Sequence, residues 1–227
     1  MEKLTGIRWY DTVESTNDEA RKAVGELDNL SVIAARCQTA GRGQGDHKWH
    51  SRPGENLTFT VVLKFLGGEE ILRCAQDDRK AAEADRSSHP ALAPLDAKDI
   101  ILITETVTLA LRRYLLRKRV SARIKWPNDI YVGDRKICGI LIENILHGRE
   151  VYASIVGIGL NLNQTEFPPD LPNPVSLSLL TDRHYDPEKE LVLFMRILAE
   201  CAGKTNTAEG RRYLDRMFKR YMFRLPS

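Results

Sequence analysis

Lys125-Trp126-Pro127-Asn128-Asp129 gathers an ammonium, an indole, an amide and a carboxylate at one point of the chain. The residues leading into it alternate as a strand does, and Pro127, having no N–H to donate, stops the ladder there. The polar groups are therefore left at a strand end. The chemistry open to them is electrostatic: a fixed cation beside hydrogen-bonding groups stabilises a negative charge. Each residue also has a plain structural role. Lys125 suits a solvated strand end, Trp126 suits packing, and Asp129 either caps a turn or accepts a hydrogen bond that positions Lys125.

Three further stretches carry reactive or ligand-binding residue types. Glu14-Ser15-Thr16-Asn17-Asp18-Glu19 places hydroxyls and an amide at the start of a helix, with Thr16 and Glu19 in capping-box spacing. Such a start merely caps a helix, or it makes a pocket for a neutral polar group or an anion. Gln38-Thr39-Ala40-Gly41-Arg42-Gly43-Gln44-Gly45 is a glycine-rich loop with Trp49 behind it. Glycines let backbone amides approach phosphates, but no Gly-Lys-Ser/Thr follows, so it is not a Walker A loop. Gly157-Ile158-Gly159-Leu160-Asn161-Leu162-Asn163 ends a strand through glycines. No Ser/His/Asp or Cys/His arrangement suggests a covalent nucleophile.

The elements that must hold these groups follow from pattern. Strands are predicted at Ile7 to Asp11, Ser31 to Cys37, Leu57 to Lys64, Val120 to Trp126, from Ile130 to a turn at Gly133-Asp134, at Lys136 to Asn144, and at Val151 to Gly157 after a turn at His147-Gly148. Helices are predicted from Thr16 to about Leu27, Asp99 to Leu116, Glu188 to Cys201 and Ala208 to Met222. Residues 67–98 are charge-dense without a period and read as a mobile insertion, with a helical turn near Ile71 to Cys74. The fold class expected is α/β (α+β): a mixed, mostly antiparallel sheet with helices packed on one face.

The chain has 227 residues, a formal charge of +3, 42% hydrophobic and 29% charged residues. This suits a single soluble domain and does not by itself point to nucleic acid. Arg112, Arg113, Arg117, Lys118 and Arg119 are read as complementing a helix dipole. The four cysteines lack metal-ligand spacing, with Cys37 and Cys138 expected to be buried thiols, and no metal site is expected. No signal peptide or membrane span is visible, so the cytoplasm is the expected compartment.

Lys-Trp-Pro-Asn-Asp followed by Gly139-Ile140-Leu141-Ile142-Glu143, together with the three stretches above, resembles the biotin–protein ligase family over roughly residues 7 to 165. The resemblance implies an ATP-dependent ligase. It would form biotinyl-5'-AMP and transfer biotin to a lysine of the biotin carboxyl carrier protein of acetyl-CoA carboxylase. Carried over, Ser15, Thr16, Asn17, Gln38, Gly41, Arg42, Lys125 and Gly139 would bind biotin. Arg42, Gly43, Gln44, Trp49, Lys125, Asn128 and Asn161 would bind ATP or the adenylate, with Lys125 and Arg42 catalytic and Mg²⁺ accompanying the triphosphate. The run Gln44-Gly45-Asp46-His47 departs from the family, which commonly places a further basic residue there, and Asp46 would repel an anionic intermediate. Residues 1–227 are expected to be one catalytic domain. Neither the N-terminal DNA-binding domain nor the C-terminal β domain of relatives is matched, so no DNA partner is expected, while a homodimer fits the family. The alternatives are a lipoate or octanoate ligase or transferase of the same fold, and a truncated, impaired biotin-binding remnant.

Overall fold

A computed structural model describes residues 6–45, 47–66 and 90–224. The strands are β1 (Ile7–Val13), β2 (Val32–Gln38), β3 (Leu57–Lys64), β4 (Arg123–Lys125), β5 (Asp129–Val132), β6 (Arg135–His147), β7 (Glu150–Leu160) and β8 (Met222–Phe223). The helices are α1 (Thr16–Lys22), α2 (Ile101–Arg117), α3 (Leu177–Thr181), α4 (Pro187–Gly203) and α5 (Ala208–Tyr221). The described strands form an eight-stranded sheet in the order β1-β2-β3-β7-β6-β5-β4-β8. Only the end pairs, β1 with β2 and β4 with β8, are parallel. The sheet is thus mixed and mostly antiparallel, as the pattern predicts.

Alternation along β3 and β7 divides the two faces. Leu57, Phe59, Val61 and Leu63 of β3 and Val156 and Ile158 of β7 point into the main core. There they meet Ile103, Val107 and Leu111 of α2 and Leu191, Phe194 and Leu198 of α4. Phe194 sits edge-on between Phe59 and Tyr114, with ring centroids 5.5 and 6.1 Å away. The expectation of helices on one face needs correction. Ile33, Val62, Ala153 and Ile155 point the other way and form a second, smaller core with Ala20 and Leu27, which puts α1 on the opposite face. The helix also starts differently from the reading above: Ser15 caps it by accepting from the amide of Asp18, and helical structure ends at Lys22. Thr16 is thereby freed to point into the fold.

Residues 67–89 of the expected insertion, including the turn near Ile71, lie outside the described residues, as does Asp46. Residues 90–98 are packed against the sheet. Leu92 exchanges backbone bonds with Lys64 and Leu66, Leu95 is fully buried, and Asn29 donates to the Pro90 carbonyl. Lys118 was expected only to complement a helix dipole. It crosses to Glu190 of α4 at 2.6 Å, where Tyr114 also donates its phenol at 2.7 Å. A buried carboxylate with both partners is satisfied; losing either would leave it costly. Cys138 is buried, while Cys37 is only half-buried.

Glu105 on α2 is 4% exposed. Burial, reinforced by Asp215 of α5 and opposed by Lys219, pushes its carboxyl up to about 7. The folded chain therefore holds this proton more tightly than the unfolded chain. Stability from Glu105 is fully present below pH 4.5 and is lost as pH rises toward about 7. The loss is on the order of 3 kcal/mol. Glu105→Gln is expected to flatten the fall in thermal unfolding midpoint between these pH values and to stabilise the protein at pH 8. Identical profiles for variant and parent would contradict this.

Candidate active site

On the face opposite the main core, register lines up small and polar residues in rows. Thr58 of β3 lies opposite Gly159 of β7, which lies opposite Gly139 of β6; Thr60, Gly157 and Leu141 form the next row. A sheet with threonines and glycines where large side chains would stand has a trough. It is a cavity of about 280 Å³, walled by α1, the loop after β2 and the β4–β5 corner.

At one end, the turn into α1 and the end of β2 supply a hydrogen-bonded set. Ser15, Thr16 and Asn17 are all buried. Gln38 Oε1 accepts from the Thr16 amide at 2.8 Å and from its hydroxyl at 3.0 Å. The Thr60 hydroxyl lies 2.6 Å from Asn17 Oδ1 and 2.8 Å from Thr16 Oγ1. Asn17 Nδ2 donates to Glu143 at 2.7 Å. Gly157 is where Asn17 fits: a Cβ there would lie 2.3 Å from Asn17 Oδ1.

The glycine-rich loop folds as a small hairpin. Arg42 is bridged to Lys48, Gly43 N–H donates to the His47 carbonyl, and Trp49 N–H donates to the Gly41 carbonyl. This lays the Trp49 indole flat on the glycine row. A Cβ at Gly159 would come within 2.2 Å of the ring and one at Gly139 within 2.9 Å. Trp49 Nε1 and Thr58 Oγ1 are both buried without a hydrogen-bond partner among the described residues. A ligand would satisfy them only with the Trp49 ring turned from the glycine row.

The corner after β4 supplies charge. Lys125, Trp126, Pro127 and Asp129 all line the cavity, and the Trp126–Pro127 peptide is cis. Lys125 pairs in register with Asp129, so both project from the same face. Yet Asp129 does not position Lys125. It binds Lys136 Nζ at 2.8 Å. Lys125 Nζ instead lies 3.5 Å from the Tyr131 hydroxyl and has no carboxylate partner among the described residues. Arg42 is differently placed: its guanidinium is 2.5 Å from Asp18 and 3.7 Å from Glu143. Its charge is shared with two carboxylates, which leaves Lys125 the less compensated cation.

Of the residues predicted from sequence, Ser15, Thr16, Asn17, Gln38, Arg42, Gly43, Gln44, Trp49, Lys125 and Gly139 line one cavity. Gly41, Asn128 and Asn161 do not. Gly41 lies behind it, where a Cβ would meet the Trp49 carbonyl at 2.6 Å. Asn128 is buried and donates to the Ile140 carbonyl, fixing the corner to β6. Asn161 donates to the Val175 carbonyl and anchors the segment after β7. Both amides meet the demand of buried backbone carbonyls for a donor. Lys136, Lys48 and Thr58 line the cavity and were missed, while Gly159 was named only as part of the run that ends its strand. The Thr-x-Thr of β3 and the Gly-x-Gly of β7 were the available signal, since a strand buried on both faces ordinarily runs apolar throughout.

A profile of the biotin/lipoate A/B protein ligase family matches residues 9–75 and 85–161. The biotin–[acetyl-CoA-carboxylase] ligase of Paracoccus denitrificans is 32% identical over 198 residues, 86% of this chain and 72% of that protein. The bifunctional ligase/repressor BirA of Escherichia coli is 29% identical over 150 residues, but the chain covers only 38% of it. Among solved structures, the biotin protein ligase of Aquifex aeolicus in complex with biotin and ATP superposes with a TM-score of 0.71 at 21% identity, covering 97% of this chain and 79% of that one. The Leishmania major enzyme in complex with biotinyl-5-AMP gives 0.68 at 23% identity, covering 98% and 86%. At these identities the structural likeness establishes the fold.

Proposed function

This chain belongs to the biotin/lipoate A/B protein ligase family, and we propose that it is an ATP-dependent biotin–protein ligase working in the cavity just described. The carrying observation is the pairing of two ends: a neutral set of hydroxyls and amides at α1, and the Lys125 ammonium without a carboxylate partner among the described residues.

The ureido group of biotin has both N–H donors and a carbonyl acceptor, which hydroxyl and amide side chains match. The dithiolane of lipoate and the alkyl end of octanoate offer no N–H donors or carbonyl acceptor, so the polar end favours biotin over the alternatives. Trp49 on its glycine row gives an apolar wall between the two ends. The carboxylate would then lie toward Lys125. Its oxygen attacks the α-phosphorus of ATP, the bond to the bridging oxygen breaks, and pyrophosphate leaves with Mg²⁺. A unit cation about 4 Å from a unit anion is worth roughly 4 kcal/mol at an effective dielectric of 20, and Lys125 supplies it where two anions must meet. Lys48 adds positive charge along the cavity for the polyphosphate, whereas the Lys136 ammonium is already paired with Asp129. Arg42 would serve the anion once turned from Asp18. In the second step the amine of a carrier lysine attacks the mixed anhydride, AMP leaves, and an amide forms.

The carrier we propose is the biotin carboxyl carrier protein of acetyl-CoA carboxylase, and the compartment the cytoplasm. None of the described helices is long and apolar enough to cross a membrane. The test is to incubate the protein with biotin, ATP, Mg²⁺ and a purified carrier domain, and to measure biotin on the carrier lysine by mass spectrometry. Attachment dependent on enzyme and ATP is expected. Transfer of lipoate or octanoate but not biotin would replace this reading with one of its alternatives.

A further inference from the structure

Resting on the ligase reading, we propose that the arginine-rich face of α5 and β8 docks an acidic protein domain, which thereby brings its acceptor lysine to the cavity. Most of the charges on this face are not consumed internally. Arg113 and Lys219 are engaged by Glu200 and Asp215. Arg123, Arg212, Arg216, Arg220 and Arg224 are exposed and have no carboxylate partner among the described residues. The carboxylates on α5 are Glu209 and the already paired Asp215.

Four of these five arginines lie beside rings. The Arg224 guanidinium lies 5.3 Å from the Trp126 ring centroid and that of Arg123 4.6 Å from Phe223. Further along α5, Arg220 lies 5.7 Å from Tyr221 and Arg216 5.9 Å from Tyr213. A ring beside a guanidinium leaves its N–H edges free, and that planar fork matches a carboxylate in two bonds at once. Arg212, Arg216 and Arg220 recur every four residues and share one stripe of the helix.

Position ties the face to the reaction. Trp126 is 40% exposed and lines the cavity, so the stripe that begins at Arg212 ends, through Arg224, on the cavity rim. β8 lies beside β4 there, with the Trp126 amide donating to the Phe223 carbonyl at 2.9 Å. A protein whose lysine must enter at Lys125 and Trp126 has to rest against this rim. Carboxylates around its lysine would meet the arginines.

The test uses Arg216→Glu/Arg220→Glu, and Arg216→Glu alone, neither of which touches the cavity. Biotin-dependent exchange of pyrophosphate into ATP, which needs no carrier, is expected to be unchanged. Transfer to a purified biotin carboxyl carrier domain is expected to lose about 10-fold or more in kcat/KM at low ionic strength, with the gap closing as salt is raised. Unchanged transfer kinetics in a variant that still exchanges pyrophosphate would overturn the docking surface. So would loss of binding to a single-stranded oligonucleotide with carrier kinetics intact, which would assign the face to nucleic acid. Absence of pyrophosphate exchange in the parent protein would instead remove the ligase reading itself, and the docking surface with it.

Discussion

Lys125→Ala is expected to reduce biotin-dependent pyrophosphate exchange by about 10²–10³-fold, in the range seen when one preorganised electrostatic donor is removed. The chain should still fold, because Lys125 is half-buried and makes no ion pair among the described residues. The core contacts of its strand come from Ile124, which is fully buried. Lys125→Arg should not restore full rate. A guanidinium is larger, and the ammonium is confined by the Tyr131 hydroxyl at 3.5 Å and the ring 5.3 Å away. The decisive measurement is exchange rate against saturating biotin and ATP, alongside the thermal unfolding midpoint. If Lys125 acts in the transition state, kcat falls while the KM for biotin moves little. A normal kcat in Lys125→Ala would remove this residue from the chemistry.

Gly157→Ala and Gly159→Ala are expected to weaken biotin binding more than any other single-methyl change in the chain. At Gly157 the added carbon would sit 2.3 Å from Asn17 Oδ1 and 3.0 Å from its Cγ. Asn17 is 3% exposed and bonded to Glu143, so its amide has no free space to swing into. Thr60 can turn to Thr16, and Glu143 keeps Arg21 at 3.1 Å, so part of the network survives. Leaving one buried group unmatched costs about 1–3 kcal/mol, which corresponds to roughly 5- to 150-fold in Kd. At Gly159 the clash is with the six-membered ring of Trp49 at 2.2 Å, and the indole must leave its slot altogether. That removes an aromatic wall and unseats the loop carrying Arg42, and a loss of about 10²-fold or more follows. Gly25→Ala is the control, since nothing lies within 4 Å of a Cβ there. Titration calorimetry with biotin would show control and parent alike, with the other two variants weakened. Parent-like affinity in Gly159→Ala would mean that Trp49 does not form the wall.

The parts of the site that lie within one short run were legible before any fold was known. Ser15-Thr16-Asn17 reads as a polar helix start because side-chain capping is a local event. Lys125 to Asp129 reads as a strand end because proline ends a ladder wherever it stands. The order of strands and helices follows in the same way from period and turn residues, and the observed elements depart from it mainly at their ends. Local grammar misled where a neighbour in space competed for the same atoms. Thr16 looked like the capping residue, but Ser15 took that role while Gln38 and Thr60 engaged Thr16. Asp129 was offered to Lys125 by sequence proximity and by register, yet Lys136 took it.

The sequence by itself determined which chemical groups exist and which local elements carry them: an ammonium at a strand end, hydroxyls at a helix start, an arginine in a glycine loop. Only the tertiary structure decided which of those groups share a cavity and which charges stay uncompensated there. Trp49 lies on Gly139 and Gly159, and Asn17 lies against Gly157, because β6, β7 and β3 align those positions. The physical reason is that strand register joins residues a hundred positions apart through backbone hydrogen bonds common to all residues, so no local pattern encodes which distant residues will face each other.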